Sequence, residues 1–217
     1  ERLQSMQCSP DVNRMLATIR YNTNRILSLI NQLLDVRKID KGQMRICCEE
    51  IDMQRFVNNC LYMFEEQARL KEIRLEAKFP EMLPYVWIDP NNFDKVLINL
   101  LSNALKYTPE KGTVCVGVNI GTNLKETGPL CQYMEISVSD TGKGVNEKEL
   151  KKIFDRFYQG DMNHTTNSLG FGIGLNLCRL LVKLHHGIIF AENRKDTQGS
   201  RFVVHIPLGN KHLKKEE

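Results

Sequence analysis

One aspartate and the glycines that follow it have the chemistry needed to recognise a base. Asp140 ends a run in which polar residues alternate with Ile136 and Val138, the pattern of a half-buried strand. An ionised carboxylate accepts hydrogen bonds and donates none. Gly142 and Gly144 have no Cβ, so the backbone after Asp140 can turn sharply and approach a flat ligand closely.

A second glycine segment has the chemistry needed to bind phosphate. Gly170, Gly172 and Gly174 precede an apolar helix predicted from Leu175 to Leu184. The free N–H groups and the dipole at a helix N-terminus favour a negatively charged group. Each glycine segment alone is weak evidence, because such segments also form tight turns and the loops of dinucleotide-binding proteins and kinases.

A third segment places two amides and an ammonium group on one helical face. Asn99 and Asn103 are four residues apart, and Lys106 follows three residues later. Amide oxygens suit Mg²⁺, a hard cation that usually takes substrate phosphates as further ligands. The three segments together predict a site for a nucleotide and its metal ion.

Hydrophobic periodicity predicts the elements that position these residues. A long helix is expected from Pro10 to Lys41, with Gly42 as its stop signal. Strand and helix periods then alternate, which predicts an α+β fold, a two-layer sandwich with a mixed sheet against helices. Further helices are predicted at 52–71, after Asp89-Pro90, and at 146–153 and 172–186, and strands at 44–48, 73–79, 85–88, 113–120, 132–139, 188–192 and 201–206. The polar segment 155–169 is predicted to be a mobile lid.

The first helix has the apolar spacing of a coiled coil, alternating steps of four and three residues. Packing on its own domain is one alternative. The heptads favour a dimerising helical hairpin, of which residues 2–6 would be the end of the preceding helix. Because the chain starts at Glu1 rather than Met, we expect it to be excised from a longer protein.

Composition excludes several classes of protein. A hydrophobic content of 41% and a charged content of 26% indicate an ordinary folded chain. The net charge of +4 comes from dispersed lysines, which argues against a nucleic-acid groove. Seven cysteines without a C-x-x-C pattern indicate neither zinc nor a disulfide framework, and a reducing compartment is expected. The sequence has no long apolar run and no signal-like start, so we expect it neither to span a membrane nor to be exported by itself.

In this order, the segments resemble the catalytic part of a bacterial sensor histidine kinase, possibly of hybrid type. The resemblance covers nearly the whole chain and implies the Bergerat-type ATP-binding fold of the gyrase, chaperone and kinase superfamily. Residues 20–42 are similar to the second helix of that family's dimerisation and phosphotransfer hairpin. The matching motifs are the N box at 99–108, the first glycine box at 140–144, the F box at 153–158, the second glycine box at 170–174, and the start of the last strand at 199–202.

The resemblance assigns roles to the site residues, with ATP and Mg²⁺ as cofactors. Asn103, with Asn99, would hold Mg²⁺, and Lys106 would pair with a phosphate. Tyr107 would lie along the adenine, whose amino group would donate to Asp140. The remaining predicted contacts are Gly142 and Gly144 at the base, Gly170, Gly172, Gly174 and Leu175 at the phosphates, and Phe154 and Phe157 at the near end of the lid.

Two features depart from the family pattern. Gln159 stands where many members have an arginine near the terminal phosphate, and Arg156 is the expected substitute. The family's acceptor, a His followed by Glu or Asp, is absent, because none of the five histidines has that context. We expect His164, His185, His186, His205 and His212 to be structural or exposed.

The sequence therefore predicts two parts, the end of the phosphotransfer hairpin at 1–42 and an ATP-binding catalytic domain at 43–217. The predicted function is transfer of the γ-phosphate of ATP to a His on an upstream helix, for relay to an Asp of a response regulator. The expected partners are that helix, the response-regulator receiver domain and a second copy of the protein. The expected location is the cytoplasmic portion of a protein anchored in the inner membrane. The alternatives are a catalytically silent nucleotide-binding scaffold and a serine kinase of the anti-sigma type.

Overall fold

A five-stranded mixed sheet covered by helices forms the main body of the chain. The computed structural model describes residues 10–123, 128–159 and 171–214. The strand order is β2-β4-β5-β7-β6, in which only the β2–β4 pair is parallel. These strands are β2 (Arg74–Lys78), β4 (Thr113–Thr122), β5 (Gln132–Asp140), β6 (Ile188–Asn193) and β7 (Ser200–Pro207). The predicted α+β class, a mixed sheet against helices, is confirmed.

The remaining elements lie around this sheet. A small antiparallel sheet pairs β1 with β3. The elements are α1 (Pro10–Asp40), β1 (Glu49–Ile51), α2 (Met53–Tyr62), α3 (Glu65–Leu70), β3 (Val86–Ile88), α4 (Pro90–Tyr107) and α5 (Gly174–Leu184).

Helix α4 forms the centre of the helical layer because one of its faces is continuously apolar. Its buried residues are Phe93, Val96, Leu97, Leu100, Leu101, Ala104 and Leu105. Burying a large aliphatic or aromatic side chain contributes about 1.5–3 kcal/mol, so this face holds α4 on the sheet and leaves its opposite face available for the site. Asp89 caps the helix by accepting a hydrogen bond from Asn92 N at 3.1 Å.

The structure differs from the predicted elements in three places. Residues 43–48 form no strand, and the N–H of Cys47 donates to the Asp89 carboxylate rather than to a neighbouring strand. The predicted helix 52–71 is divided into α2 and α3, which lets Phe64 at the break pack against the core. Residues 146–153 form successive turns, in which bonds to the i−3 and i−4 carbonyls alternate without becoming a regular helix.

Helix α1 is joined to the rest of the described chain by ion pairs near its C-terminal end, and closer to its N-terminus the Arg25 guanidinium lies 5.4 Å from the centroid of the Phe171 ring. Val36 is buried, Asp35 pairs with Lys95 of α4 at 2.8 Å, and Asp40 pairs with Arg156 at 2.7 Å. Most of the other large apolar residues of α1 are exposed: Val12, Met15, Ile19, Ile26, Leu27, Ile30, Leu33 and Leu34. No helix in the described ranges, α1 included, combines the length and apolar content needed to cross a bilayer.

Candidate nucleotide-binding site

Asp140 lies at the end of the central strand β5, with a buried carboxylate. Its relative exposure is 3%. Oδ1 accepts a hydrogen bond from Gly142 N at 2.7 Å, and Oδ2 accepts one from the Ser200 hydroxyl at 2.5 Å. These bonds offset the cost of burying the carboxylate and fix its orientation. Oδ1 also accepts from Ser200 N at 3.4 Å, whereas Oδ2 retains acceptor capacity for a further donor.

The turn after Asp140 packs against the C-terminal end of α4. A Cβ on Gly142 would lie 2.6 Å from the carbonyl oxygen of Tyr107. A contact that short is not available to a side chain, so glycine permits this close approach. The turn therefore brings Tyr107 next to the Asp140 carboxylate. The ring of Tyr107 is partly exposed, as a surface that contacts a ligand must be.

Asn99, Asn103 and Lys106 follow one another along the partly exposed face of α4. Asn99 Nδ2 donates to the carbonyl of Lys95 at 2.8 Å, which leaves Oδ1 available as an acceptor. The Lys106 ammonium lies 4.8 Å from the centroid of the Tyr107 ring. Neither Asn103 nor Lys106 has a side-chain hydrogen bond or ion pair to any residue in the described ranges.

The N-terminus of α5 meets the same face of α4. Gly174 begins α5, and a Cβ there would lie 2.6 Å from Oδ1 of Asn99. The free N–H groups of a helix N-terminus are thus next to the first amide of α4. Leu175 follows within α5 and packs against the core. Gly170 lies outside the described residues.

The F-box turn joins the second glycine segment through its backbone. Phe157 N donates to the carbonyl of Gly172 at 2.9 Å, and Gly172 has a φ of +69°, a conformation that favours glycine. Phe154 is buried and packs edge-on against Phe202, whereas the ring of Phe157 is 60% exposed. The structure therefore gives Phe154 a buried contact and leaves the Phe157 ring at the surface.

The structure also shows where Arg156 and most of the histidines lie. Arg156 pairs with Asp40 of α1, so in this structure the guanidinium is directed at α1. Four of the five histidines are in the described ranges, and all four have structural contacts, since the rings of His186 and His212 pack edge-on at 5.4 Å. His205 lies 3.1 Å from Glu135, and His185 is buried at the end of α5. His164 and most of the predicted lid, residues 160–169, lie outside the described residues.

His185 joins the C-terminal end of α5 to the start of α4. Its Nδ1 is 2.8 Å from the carbonyl of Leu181, and its Nε2 accepts a hydrogen bond from Asp89 N. Nδ1 is therefore the protonated nitrogen of a neutral ring. Burial lowers the pKa of His185 below its ordinary value, because it disfavours the charged ring. Burial by itself would raise the pKa of Asp89, but hydrogen bonds from Cys47 and Asn92 lower it below its ordinary value.

The sequence motifs did not predict the side chains of other elements that support the site. Ser200 donates to Asp140, and Asn193 forms two hydrogen bonds with Val145. Asn176, on α5, donates to the carbonyl of Phe154 at 3.0 Å. The motif at 199–202 pointed to the Ser200 position without a role, whereas no sequence signal indicated Asn193 or Asn176.

The amides of α4 fit a hard metal ion. Asn99 and Asn103 have carbonyl oxygens that accept no hydrogen bond within the described ranges, and oxygen ligands are those that Mg²⁺ prefers. Among the same residues, no group of three or more His, Cys, Asp or Glu side chains is arranged to hold a metal ion.

Comparison with known proteins identifies relatives of this chain. The chain is 29% identical over 212 residues to Histidine kinase P4 of Formosa agariphila, and 33% identical over 180 residues to the sensor histidine kinase WalK of Bacillus subtilis. These alignments cover 96% and 83% of this chain. The chain spans only 15% and 28% of the lengths of these two relatives.

Solved structures show the same fold. Full-length ShkA in complex with AMPPNP matches with a TM-score of 0.78 and 22% identity, over 95% of this chain and 41% of that one. The histidine kinase ThkA in complex with the response regulator TrrA matches with a TM-score of 0.66 and 23% identity, over 96% of this chain and 55% of that one. At these identities the similarity establishes the fold.

A family model covers all of α4, both glycine segments and four of the five strands of the main sheet, leaving out β2. It is described as histidine kinase-, DNA gyrase B-, and HSP90-like ATPase, and it matches residues 88–210, which include Asn99, Asp140 and Gly174. The match extends over more than half of the chain and confirms the family predicted from the sequence motifs. The chain belongs to the family of histidine kinase-, DNA gyrase B- and HSP90-like ATPases.

Proposed function

We propose that this chain is the ATP-binding catalytic domain of a sensor histidine kinase, preceded by the end of its phosphotransfer hairpin. The observation that carries the proposal is the double contact of α4. Gly142, in the turn after Asp140, abuts one end of its polar face at Tyr107, and Gly174 abuts Asn99. An acceptor for a base and a helix N-terminus for phosphates are therefore joined by one row of polar side chains.

In this proposal Asp140 recognises adenine. Its carboxylate accepts a hydrogen bond from the amino group of the base while Ser200 and Gly142 hold it in place. Tyr107 borders the same space. A base that presents an acceptor at the position of the amino group would face the carboxylate unfavourably, so the site favours adenine.

The face of α4 binds the triphosphate. The Lys106 ammonium supplies positive charge, the N–H groups at the start of α5 supply donors, and Asn103 and Asn99 supply oxygens for Mg²⁺. Bound there, Mg²⁺ would neutralise phosphate charge. Catalysis of phosphoryl transfer depends mainly on positioning and charge neutralisation, which these groups provide.

The acceptor of the phosphoryl group is a histidine outside this chain. A ring nitrogen of that histidine attacks the γ-phosphorus, the bond from phosphorus to the bridging oxygen breaks, and ADP leaves. Asn99 cannot remove a proton from water, because an amide is not a base at neutral pH, and this favours transfer over hydrolysis. The phosphoryl group then passes to an aspartate of a response regulator, the class of partner named for ThkA.

The assembly around this domain is also part of the proposal. The exposed apolar face of α1 fits a second copy of the protein and the first helix of the hairpin. The proposal also places the domain in the cytoplasmic portion of a protein anchored in the inner membrane. The helix also weighs against a serine kinase of the anti-sigma type, which would lack it.

Calorimetric titration tests the nucleotide site. We expect heat from binding of a non-hydrolysable ATP analogue, and a lower affinity when EDTA replaces Mg²⁺. Absence of binding to a folded sample in Mg²⁺ would contradict the proposal.

Transfer is tested with a supplied helical hairpin that contains a His-Glu or His-Asp acceptor. We expect acid-labile phosphorylation of its histidine, with a His→Gln hairpin as the control. Binding of ATP without transfer to this acceptor would instead support the silent scaffold.

A further inference from the structure

The side chain of Asn193, the last residue of β6, clamps the loop that follows Asp140. Asn193 Oδ1 accepts a hydrogen bond from the N–H of Val145 at 2.8 Å, and Asn193 Nδ2 donates to the carbonyl of Val145 at 2.6 Å. One amide thus pairs with both backbone groups of one residue. The loop, residues 142–145, is thereby attached to the hairpin formed by β6 and β7.

The loop has the shape that this clamp requires. Gly144 has a φ of +77°, and a Cβ there would lie 2.8 Å from Asn193 Oδ1. A side chain at position 144 would therefore strain the backbone and displace the amide. The absence of a side chain at Gly144 therefore leaves the space that the Asn193 amide occupies.

The hairpin that carries Asn193 also holds Asp140. Arg194 N donates to the carbonyl of Gly199 at 3.0 Å and closes the hairpin turn. A Cβ on Gly199 would overlap the carbonyl oxygen of Asp140, so the two backbones are in direct contact. Ser200 then donates to the carboxylate. The acid and the loop after it therefore take their positions from the same hairpin.

Only an amide satisfies both groups of Val145. An aspartate could accept from Val145 N, but its second oxygen would face the Val145 carbonyl without a proton between them. A leucine of similar size would leave both groups without this partner. The role of residue 193 therefore depends on the donor and the acceptor of its side chain as well as on the volume of that side chain.

We propose that Asn193 is a positioning residue for the base of the nucleotide, acting through Val145. The inference rests on the proposed function. By fixing loop 142–145, Asn193 keeps the adenine edge in line with the Asp140 carboxylate. The phosphates are held at the other end of α4, beside Asn99 and Gly174, so loss of the clamp weakens recognition of the base more than retention of the phosphates.

The experiment measures base discrimination in Asn193→Leu. The affinities of ATP and of purine riboside triphosphate, which lacks the 6-amino group, are determined by competition in Mg²⁺. For the wild-type protein we expect a preference for ATP of about tenfold or more, the value of one hydrogen bond to a charged group. For Asn193→Leu we expect that preference to fall to about threefold or less, with a smaller change for the purine analogue.

Two further variants complete the test. Asn193→Asp keeps the acceptor and loses the donor, so it is expected to lose preference as well and serves if the leucine variant does not fold. Asn119→Leu makes the same change at an exposed position of β4 and should keep the wild-type preference. Thermal unfolding verifies that each protein is folded.

The outcomes separate the inference from the function on which it rests. Equal loss of affinity for both nucleotides, an unchanged preference, or failure of both Asn193 variants to fold would assign Asn193 a structural role only and overturn the inference. Absence of ATP binding by the wild-type protein would overturn the proposed function and this inference together.

Discussion

At the scale of single residues, the site depends on a buried carboxylate whose partners are all donors. Asp140 receives hydrogen bonds from Gly142 N, two residues later in the chain, and from the Ser200 hydroxyl, sixty residues later. Its remaining acceptor capacity defines what it can recognise. The identity of this side chain, an acceptor without a proton, is therefore a testable property.

Asp140→Asn is expected to weaken ATP binding by about 1–3 kcal/mol, roughly fivefold to 150-fold. The new amide can keep the bond from Gly142, but its NH₂ group would then face the Ser200 hydroxyl and the adenine amino group. Calorimetry gives the affinity. Asp52→Asn is the matched control, because Asp52 is an exposed helix cap and asparagine caps a helix equally well. A reduction below twofold in Asp140→Asn would contradict the assigned role.

His185 predicts how stability changes with pH. Its pKa is lowered in the folded protein, so the unfolded chain binds a proton at a higher pH than the folded one. The buried neutral ring of His185 makes its full contribution to the free energy of unfolding above the ordinary pKa of about 6.5. That contribution is lost as the pH falls from there toward the lowered pKa of the folded state. Urea unfolding should show a free energy that decreases by up to about 1.4 kcal/mol per pH unit in this window.

His185→Gln should be less stable than the wild type at pH 8 and should lose less stability between pH 6.5 and pH 5. Its neighbour provides the control, since His186→Gln keeps the buried ring of His185. The interpretation is wrong if His185→Gln and the wild type show parallel pH profiles.

At the scale of elements, glycines set the distances between α4 and its neighbours. The turn after β5 and the start of α5 both approach α4 at points where a Cβ would lie 2.6 Å from an oxygen of the helix. At Gly142 the opposing atom is a backbone carbonyl of Tyr107, which cannot rotate away as a side chain can. At Gly174 it is the amide of Asn99, which has rotational freedom.

Gly142→Ala should therefore lower the free energy of unfolding by about 1–3 kcal/mol, the usual range for overpacking. It should also weaken ATP binding, because the turn that carries the base site must move away from α4. Gly128→Ala is the control, since a Cβ there would have no atom of the described residues within 4 Å. Chemical denaturation compares the two variants, and equal stabilities would show that the turn is not packed as closely as the structure indicates.

At the scale of the whole molecule, α1 is attached to the rest of the described chain by ion pairs close to the proposed site. Lys95, which pairs with Asp35, also supplies the carbonyl that accepts from Asn99. Arg156, which pairs with Asp40, lies in the turn joined to Gly172 through Phe157. Asp35 and Asp40 are therefore each within a few contacts of one end of the proposed nucleotide site.

A double-mutant cycle measures how strongly α1 is attached. Asp35→Asn, Lys95→Gln and the double variant should give a coupling energy of about 0.5–1 kcal/mol, modest because the Lys95 side chain is 36% exposed. The coupling should decrease in 0.5 M salt, since screening weakens partly exposed pairs. The more exposed Asp40 and Arg156 pair provides the comparison and should couple more weakly. If the changes in the free energy of unfolding of the two single variants add up to that of the double variant, the pair of Asp35 and Lys95 does not hold α1.

The sequence alone determined the features that depend on local order. Alternation before Asp140 predicted β5, the apolar face of α4 placed Asn99 and Asn103 on the other face, and glycine spacing identified both turns. These features follow from the periods of strand and helix, which are properties of neighbouring residues. The order of the N box, the two glycine boxes and the F box along the chain predicted the family, and the match to the family model confirmed it.

The tertiary structure alone determined which distant residues meet. Ser200 reaches Asp140 across 60 positions, Asn193 reaches Val145 across 48, and Arg156 reaches Asp40 across 116. These contacts depend on strand order and on the packing of α1, which no local period encodes. A hydroxyl, an amide or a guanidinium has many possible partners in a chain, and only the folded geometry selects one of them.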